Sequence, residues 1–188
     1  LSINKIGHAL HDLDPVAQAF SHGPELAALA ADLGLVQPQL WQSMLIFKQP
    51  GIGGEVRWHQ DASFFVTTPQ TVTTFWFALE EATLANGCLW VQPGGHRGPL
   101  REQFVREGDE LRLLKLDDTP WPSTADALAV PVAAGTLVCF HGLLPHYSAP
   151  NRSPDSRLAY TLHVTDGSAV YAPQNWLRRQ RLPLRGFV

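Results

Sequence analysis

The sequence predicts an all-β sandwich or barrel preceded by a short helical segment. Three observations lead there. Beyond Gly34, short β-branched and aromatic runs alternate with Gly, Pro and Asn turns. No run of helical period separates them, which argues against a parallel α/β sheet. Six Trp and nine Phe supply a heavy aromatic core.

In chain order, Pro15 to Phe20 reads as a weak helix and Pro24 to Leu33 as a strong one. Pro24 suits the first helical position, Leu26, Leu29, Ala30 and Leu33 form one apolar stripe, and Gly34 supplies a left-handed stop. Eight strands follow: Leu40–Lys48, Val56–His59, Ser63–Thr67, Val72–Leu79, Cys88–Gln92, Ala127–Val132, Thr136–His141 and Leu158–Thr165. Between the fifth and sixth, Arg101 to Ala125 is densely charged and carries Pro120-Trp121-Pro122. It reads as a long loop, or a loop with a helical turn, of the kind that serves as a lid.

At 188 residues the chain suits one domain, and 45% hydrophobic with 16% charged residues is a globular balance. A net charge of −3 predicts neither a nucleic-acid surface nor a polybasic membrane surface. The basic cluster Arg178, Arg179 and Arg181 reads as a solvated tail. Cys88 and Cys139 lie in apolar runs without CxxC spacing, so they are expected to be buried free thiols of a reducing, cytoplasmic compartment. With no signal peptide and no apolar stretch near roughly 18 residues, neither secretion nor a membrane span is expected. The chain opens on Leu1 rather than Met. The expectation is a single domain over residues 1–188 that lacks an N-terminal portion of the natural protein.

The strongest chemical signal is His59-Gln60-Asp61. On an extended strand, residues two apart share a face, so imidazole and carboxylate can grip one metal ion together. Taken alone, such a pair is as readily a hydrogen-bonded strand end. A distal histidine would complete a two-His-one-carboxylate facial triad, the ligand set of non-haem Fe(II) oxygenases. His141 and His146 both compete for that position. Arg157 opens the apolar strand Arg157-Leu158-Ala159-Tyr160-Thr161-Leu162-His163, where an unpaired cation wants a partner. Its planar guanidinium suits the far carboxylate of a 2-oxo acid whose other end chelates the metal. His8, His11 and His22 read as surface or core residues, and Trp41, Trp90 and Trp176 as packing. His96, in the turn Pro93-Gly94-Gly95-His96-Arg97, faces either solvent or the substrate entrance.

The chain resembles the phytanoyl-CoA dioxygenase family over nearly its whole length. The resemblance rests on Lys5-Ile6-Gly7-His8-Ala9-Leu10, Gln42-Ser43-Met44, Ile46-Phe47-Lys48-Gln49-Pro50 and Gly53-Gly54-Glu55-Val56. It continues in His59-Gln60-Asp61-Ala62-Ser63-Phe64, Glu81 to Leu84, Asn86 to Trp90, Pro93 to His96, Arg157 to His163 and Pro173 to Leu177. It implies a double-stranded β-helix (a cupin-like jelly roll) and a dioxygenase that uses Fe(II), 2-oxoglutarate and dioxygen. His59, Asp61 and His146 would bind iron, His146 being favoured over His141 because Ser148, Asn151 and Arg157 follow it in the family's spacing. Arg157 would bind 2-oxoglutarate, with Lys5, Met44 and Trp76 around the cosubstrate.

Halogenating relatives carry a small residue in place of the carboxylate, so Asp61 implies hydroxylation of a small-molecule or acyl substrate. Trp58 departs from relatives that carry a smaller residue before the motif, which narrows the expected pocket. Two rivals remain open: a metal-dependent cupin-type dioxygenase without a 2-oxo acid, and a non-catalytic β-sandwich module that binds metal.

Overall fold

The computed structural model of the chain describes residues 3–187; Leu1, Ser2 and Val188, which the expected domain span includes, lie outside them. It opens with strand β1 (Lys5–His8) and helices α1 (Leu10–Leu13), α2 (Pro15–Ser21) and α3 (Pro24–Asp32). Then come β2 (Pro38–Lys48), β3 (Val56–His59), β4 (Thr67–Thr68), β5 (Thr73–Ala78) and β6 (Leu89–Val91). The remainder are β7 (Glu102–Glu107), β8 (Glu110–Lys115), β9 (Leu128–Val130), β10 (Leu137–His141), β11 (His146–Ser148), β12 (Arg157–Asp166) and β13 (Val170–Tyr171). Five strands form one antiparallel sheet in the order β1-β2-β12-β5-β10, and four form a second in the order β3-β11-β6-β9. The double-stranded β-helix is thus the observed architecture.

Strand parity explains how the larger sheet works. On β5, Phe75 and Phe77 join Tyr160, Leu162 and Val164 of β12 and Leu26 and Ala30 of α3 in one core cluster, so this face is covered by helix. The alternate residues Trp76, Ala78 and Ala159 join Leu89 and Phe140 in a second cluster between the sheets. Strand β12 is therefore buried on both faces. Register then stacks the inner face in rows: Met44, Thr161 and Trp76 in one, Gln42, His163 and Thr74 in the next, with Lys48 beside Arg157 at the end.

Pro24 begins α3, and Gly34 adopts φ +82° beyond its end, as the composition requires. Leu33 is exposed, so the stripe packs through Leu26, Leu29 and Ala30.

Three expectations are corrected. Ser63 to Thr67 is not a strand: Asp61–Ser63 form a 3-10 turn held by Ser63 N–H to Gln60 O and Ala62 N–H to Gly142 O, and only Thr67–Thr68 pair. The Arg101 to Ala125 interval is not a loop but mostly the β7–β8 hairpin, with a 3-10 turn at Thr124–Asp126. Gly108 at φ +62° takes the first central position of its two-residue turn, where glycine relieves the Cβ clash. Third, the C-terminal basic cluster is not simply solvated. Arg178 and Arg181 are exposed, but Arg179 inserts against Asp12 with its side chain only 6% exposed.

Candidate metal centre

His59 ends β3, Gln60 is extended (φ −120°, ψ 131°), and Asp61 starts the 3-10 turn. Gln60 is fully buried and pinned at both ends of its amide. Its Nε2 donates to Pro99 O (3.0 Å) and Leu143 O (2.8 Å), and its Oε1 accepts from Arg101 N (2.9 Å). That anchor keeps the flanking imidazole and carboxylate on one side. His146 begins β11 directly opposite His59 in register.

One ligand atom from each of His59, Asp61 and His146 lies within 4.8 Å of the others. The histidine tautomers follow from their neighbours. His59 Nδ1 is 2.8 Å from Arg57 O and His146 Nδ1 is 3.0 Å from Leu144 O. A carbonyl only accepts, so each Nδ1 carries the proton and each Nε2 presents a bare lone pair. Those lone pairs face Asp61 at 3.6 Å (His59 Nε2 to Oδ1) and 3.7 Å (His146 Nε2 to Oδ2). Two lone pairs and a carboxylate converging without a donor between them form a site for a cation. The spacing suits a first-row metal with bonds of roughly 2 Å.

Burial alone would raise the Asp61 carboxyl, but His146 and His163 outweigh it and hold the group well below the usual carboxylate range. Thr74 Oγ1 also donates to Asp61 Oδ2 at 2.6 Å. Burial, then the nearby His59, takes His146 down to about 4, so it is a neutral ligand at neutral pH.

Arg157 is 2% exposed and lines the same narrow inner cavity as His59, Asp61 and His146. Its Nη2 reaches Ser148 Oγ at a long 3.5 Å, and its guanidinium lies 5.5 Å from the Trp76 ring centre. Nε and Nη1 are buried with no partner among the described residues. Burial pulls this arginine down to about 10, still fully charged at neutral pH. Lys5, Met44 and Trp76 line this inner cavity, and Lys5 and Met44 also line a wider outer one. Lys5 is the least buried of the set, and partial desolvation lowers its ammonium against the pull of Asp61.

The structure also brings in residues that the sequence reading passed over. His163 is buried with Nε2 3.5 Å from Asp61 Oδ1, its ring stacked on Phe65 at 5.0 Å. Parity was the available signal, since His163 lies six positions after Arg157 on one strand. Lys48, 2% exposed, donates to Gly54 O and Ala149 O at 2.6 Å each, tying the strand ends beside Arg157. His141 stands outside the cluster: its Nδ1 accepts from Leu143 N at 3.0 Å and its ring packs by His96 at 6.1 Å. Trp41 packs on Tyr171 as expected, whereas Trp176 lines the outer cavity.

A family model described as phytanoyl-CoA dioxygenase (PhyH) matches residues 1–159. A protein of Arabidopsis thaliana named phytanoyl-CoA dioxygenase is 46% identical over 97% of this chain and 64% of its own length. Phytanoyl-CoA dioxygenase domain-containing protein 1 of Bos taurus is 46% identical over 94% of this chain and 62% of its own. The chain thus spans somewhat under two thirds of these relatives. Among solved structures, EvdO2 from Micromonospora carbonacea complexed with 2-oxoglutarate matches with a TM-score of 0.66 at 25% identity, over 93% of this chain and 73% of that one.

Proposed function

The chain belongs to the phytanoyl-CoA dioxygenase family, and from that premise we propose that it is an Fe(II)- and 2-oxoglutarate-dependent dioxygenase that hydroxylates a small-molecule substrate. In this reading residues 1–188 are one oxygenase domain. His59, Asp61 and His146 would hold the iron. When bound, the iron and the 2-oxo acid supply the activation of dioxygen: one oxygen atom enters a substrate C–H bond, the other enters succinate, and carbon dioxide leaves.

The chain's own residues bind, orient and exclude. Arg157 pairs with the far carboxylate of 2-oxoglutarate through its guanidinium, whose Nε and Nη1 have no partner among the described residues. Met44, Trp76 and Leu89 wall the cavity against water, and Lys5 adds a cation to its lining. Thr74 and His163 hold the Asp61 carboxylate in place. The free thiols Cys88 and Cys139 support a reducing, cytoplasmic setting.

The observation that carries the reading is a buried guanidinium with two donors unpaired among the described residues, in the cavity that holds the triad. The test is calorimetric titration of 2-oxoglutarate into the Mn(II)-loaded protein without oxygen, followed by succinate release with Fe(II) and air. Saturable, metal-dependent binding is expected. Absence of 2-oxoglutarate binding in folded, metal-loaded protein would leave the metal-only cupin chemistry in its place.

A further inference from the structure

An outer cavity of about 960 Å³ opens beside the triad, a size typical of small-molecule sites. Besides Phe65 and Trp121, its aromatic side chains include two packed groups. Trp58 and Tyr147 stack with ring centres 5.3 Å apart and planes 21° apart. A second row starts at the metal-site imidazole itself. His59 meets Phe64 edge-on at 6.2 Å, Phe64 meets Phe104 at 5.8 Å, and Phe104 meets Trp176 at 5.9 Å. These residues come from β3, the turn after Asp61, the β7–β8 hairpin, β11 and the C-terminal segment. Five separate parts of the chain thus deliver ring faces and edges to one volume.

Outside the triad, the formally charged side chains of this cavity are Lys5, Glu55, Arg57 and Glu102. Two cations and two carboxylates give no net field for an anion. Phosphate recognition draws on clustered Arg and Lys or on helix N-termini, and Lys5 already borders the inner cavity. Aromatic walls favour a flat guest, because stacked and edge-to-face pairs gain beyond the area they bury. A flexible chain gains less there and loses more rotational freedom on binding.

We propose that the prime substrate is an uncharged, ring-bearing small molecule rather than an acyl-CoA, held flat along the Phe64–Phe104–Trp176 row so that its oxidised carbon lies beside His59. This rests on the dioxygenase reading above, and Phe104 of the hairpin is its specificity-determining residue.

The experiment uses the full chain loaded with Mn(II) and 2-oxoglutarate without oxygen, with binding read by ligand-observed NMR. The probes are naphthalenemethanol, decanol and decanoyl-CoA. Naphthalenemethanol is expected to bind at least about fivefold more tightly than either of the others. Phe104→Leu, which keeps apolar bulk but removes the ring, should weaken naphthalenemethanol by about fivefold and leave decanol unchanged. Tighter binding of decanoyl-CoA, equal binding of decanol, no binding of naphthalenemethanol, or an unaltered Phe104→Leu protein overturns the proposal. The 2-oxoglutarate titration in the same samples is independent of these outcomes. Its failure would sink the dioxygenase reading, whereas success there with failure of the ring probe sinks only the substrate class.

Discussion

Arg157 and Arg179 both place a guanidinium in the protein interior, and their surroundings differ in kind. Arg179 is saturated. Nε donates to Leu182 O (3.2 Å), Nη1 to Trp41 O (3.1 Å) and to His11 Nε2 (3.0 Å), and Nη2 to Pro183 O (3.3 Å) and the Asp12 carboxylate. Arg185 completes the clasp on Asp12 at 2.9 Å. Among the described residues Arg157 has no carboxylate partner and leaves two donors unpaired, and burial, then Arg157, brings its neighbour Lys48 down to about 8. A cation that holds a fold is paired by the fold. A cation kept unpaired at a cost in stability awaits something the chain does not contain.

The clasp should give the largest effect. Arg179→Ala leaves Asp12 buried with Arg185 alone and removes one of the two arginines that tie the C-terminal segment to α1. Breaking a buried pair by removing one partner costs on the order of 3–5 kcal/mol, so urea midpoints should fall steeply. The 2-oxoglutarate affinity of the remaining folded protein should not change. An Arg179→Ala protein as stable as the parent would erase the contrast.

Arg157 should behave in the reverse way. Arg157→Met removes an unpaired buried charge, so thermal stability without cosubstrate should hold or rise. The stabilisation that saturating 2-oxoglutarate confers on metal-loaded parent protein should vanish. By calorimetry Arg157→Ala should lose on the order of 2–5 kcal/mol of 2-oxoglutarate affinity, at least about tenfold, with metal content unchanged. Arg157→Lys should recover only part, because a point charge does not reproduce the fork. A large drop in cosubstrate-free stability on Arg157→Met would make Arg157 a second structural cation.

His11 sharpens the clasp through pH. Its Nε2 accepts from Arg179 and its Nδ1 donates to Ser43 Oγ at 2.8 Å, so the neutral ring is required. Burial, against the pull of Asp12, takes its pKa down to about 4. The unfolded chain takes up a proton near about 6.5 while the folded chain resists it. Stability is therefore full above about 6.5 and falls as pH drops toward 4, by up to about 2–3 kcal/mol from this group. His11→Gln should flatten the stability–pH slope in that window by about one proton. An unchanged slope would mean His11 titrates normally.

Period-two runs made the long strands legible, and the short spacing of His59 and Asp61 together with Arg157 at a strand start exposed half the site. What escaped depends on distance or on masking. The three residues of β11 sit between Pro145 and the Ala149-Pro150 pair, too short to show a period. In β7 the buried alternation of Gln103 and Val105 is hidden under charged neighbours, and β1 contains Gly7 in only four residues. Arg179 resembled any solvated cation because its partner Asp12 lies 167 positions away. Ser63 to Thr67 has strand composition, yet hydrogen bonding around Gln60 and Gly142 turns the backbone to aim Asp61.

The smallest effect expected is also the one that bears on ligand choice. His141 and His146 are five residues apart, and either satisfied the sequence pattern. His146 is buried, with Nδ1 committed to a carbonyl and Nε2 turned to Asp61. His141 spends its Nδ1 lone pair on Leu143 N–H, so its Nε2 carries the proton and has no lone pair to give a metal. His141→Ala therefore removes one local hydrogen bond, a change of about 1 kcal/mol in stability, and should leave iron stoichiometry at the parent value. His146→Ala should abolish iron retention, as should His59→Ala and Asp61→Ala. Metal analysis after desalting separates the cases, and an iron-free His141→Ala protein beside an iron-loaded His146→Ala protein would transfer the third ligand to His141.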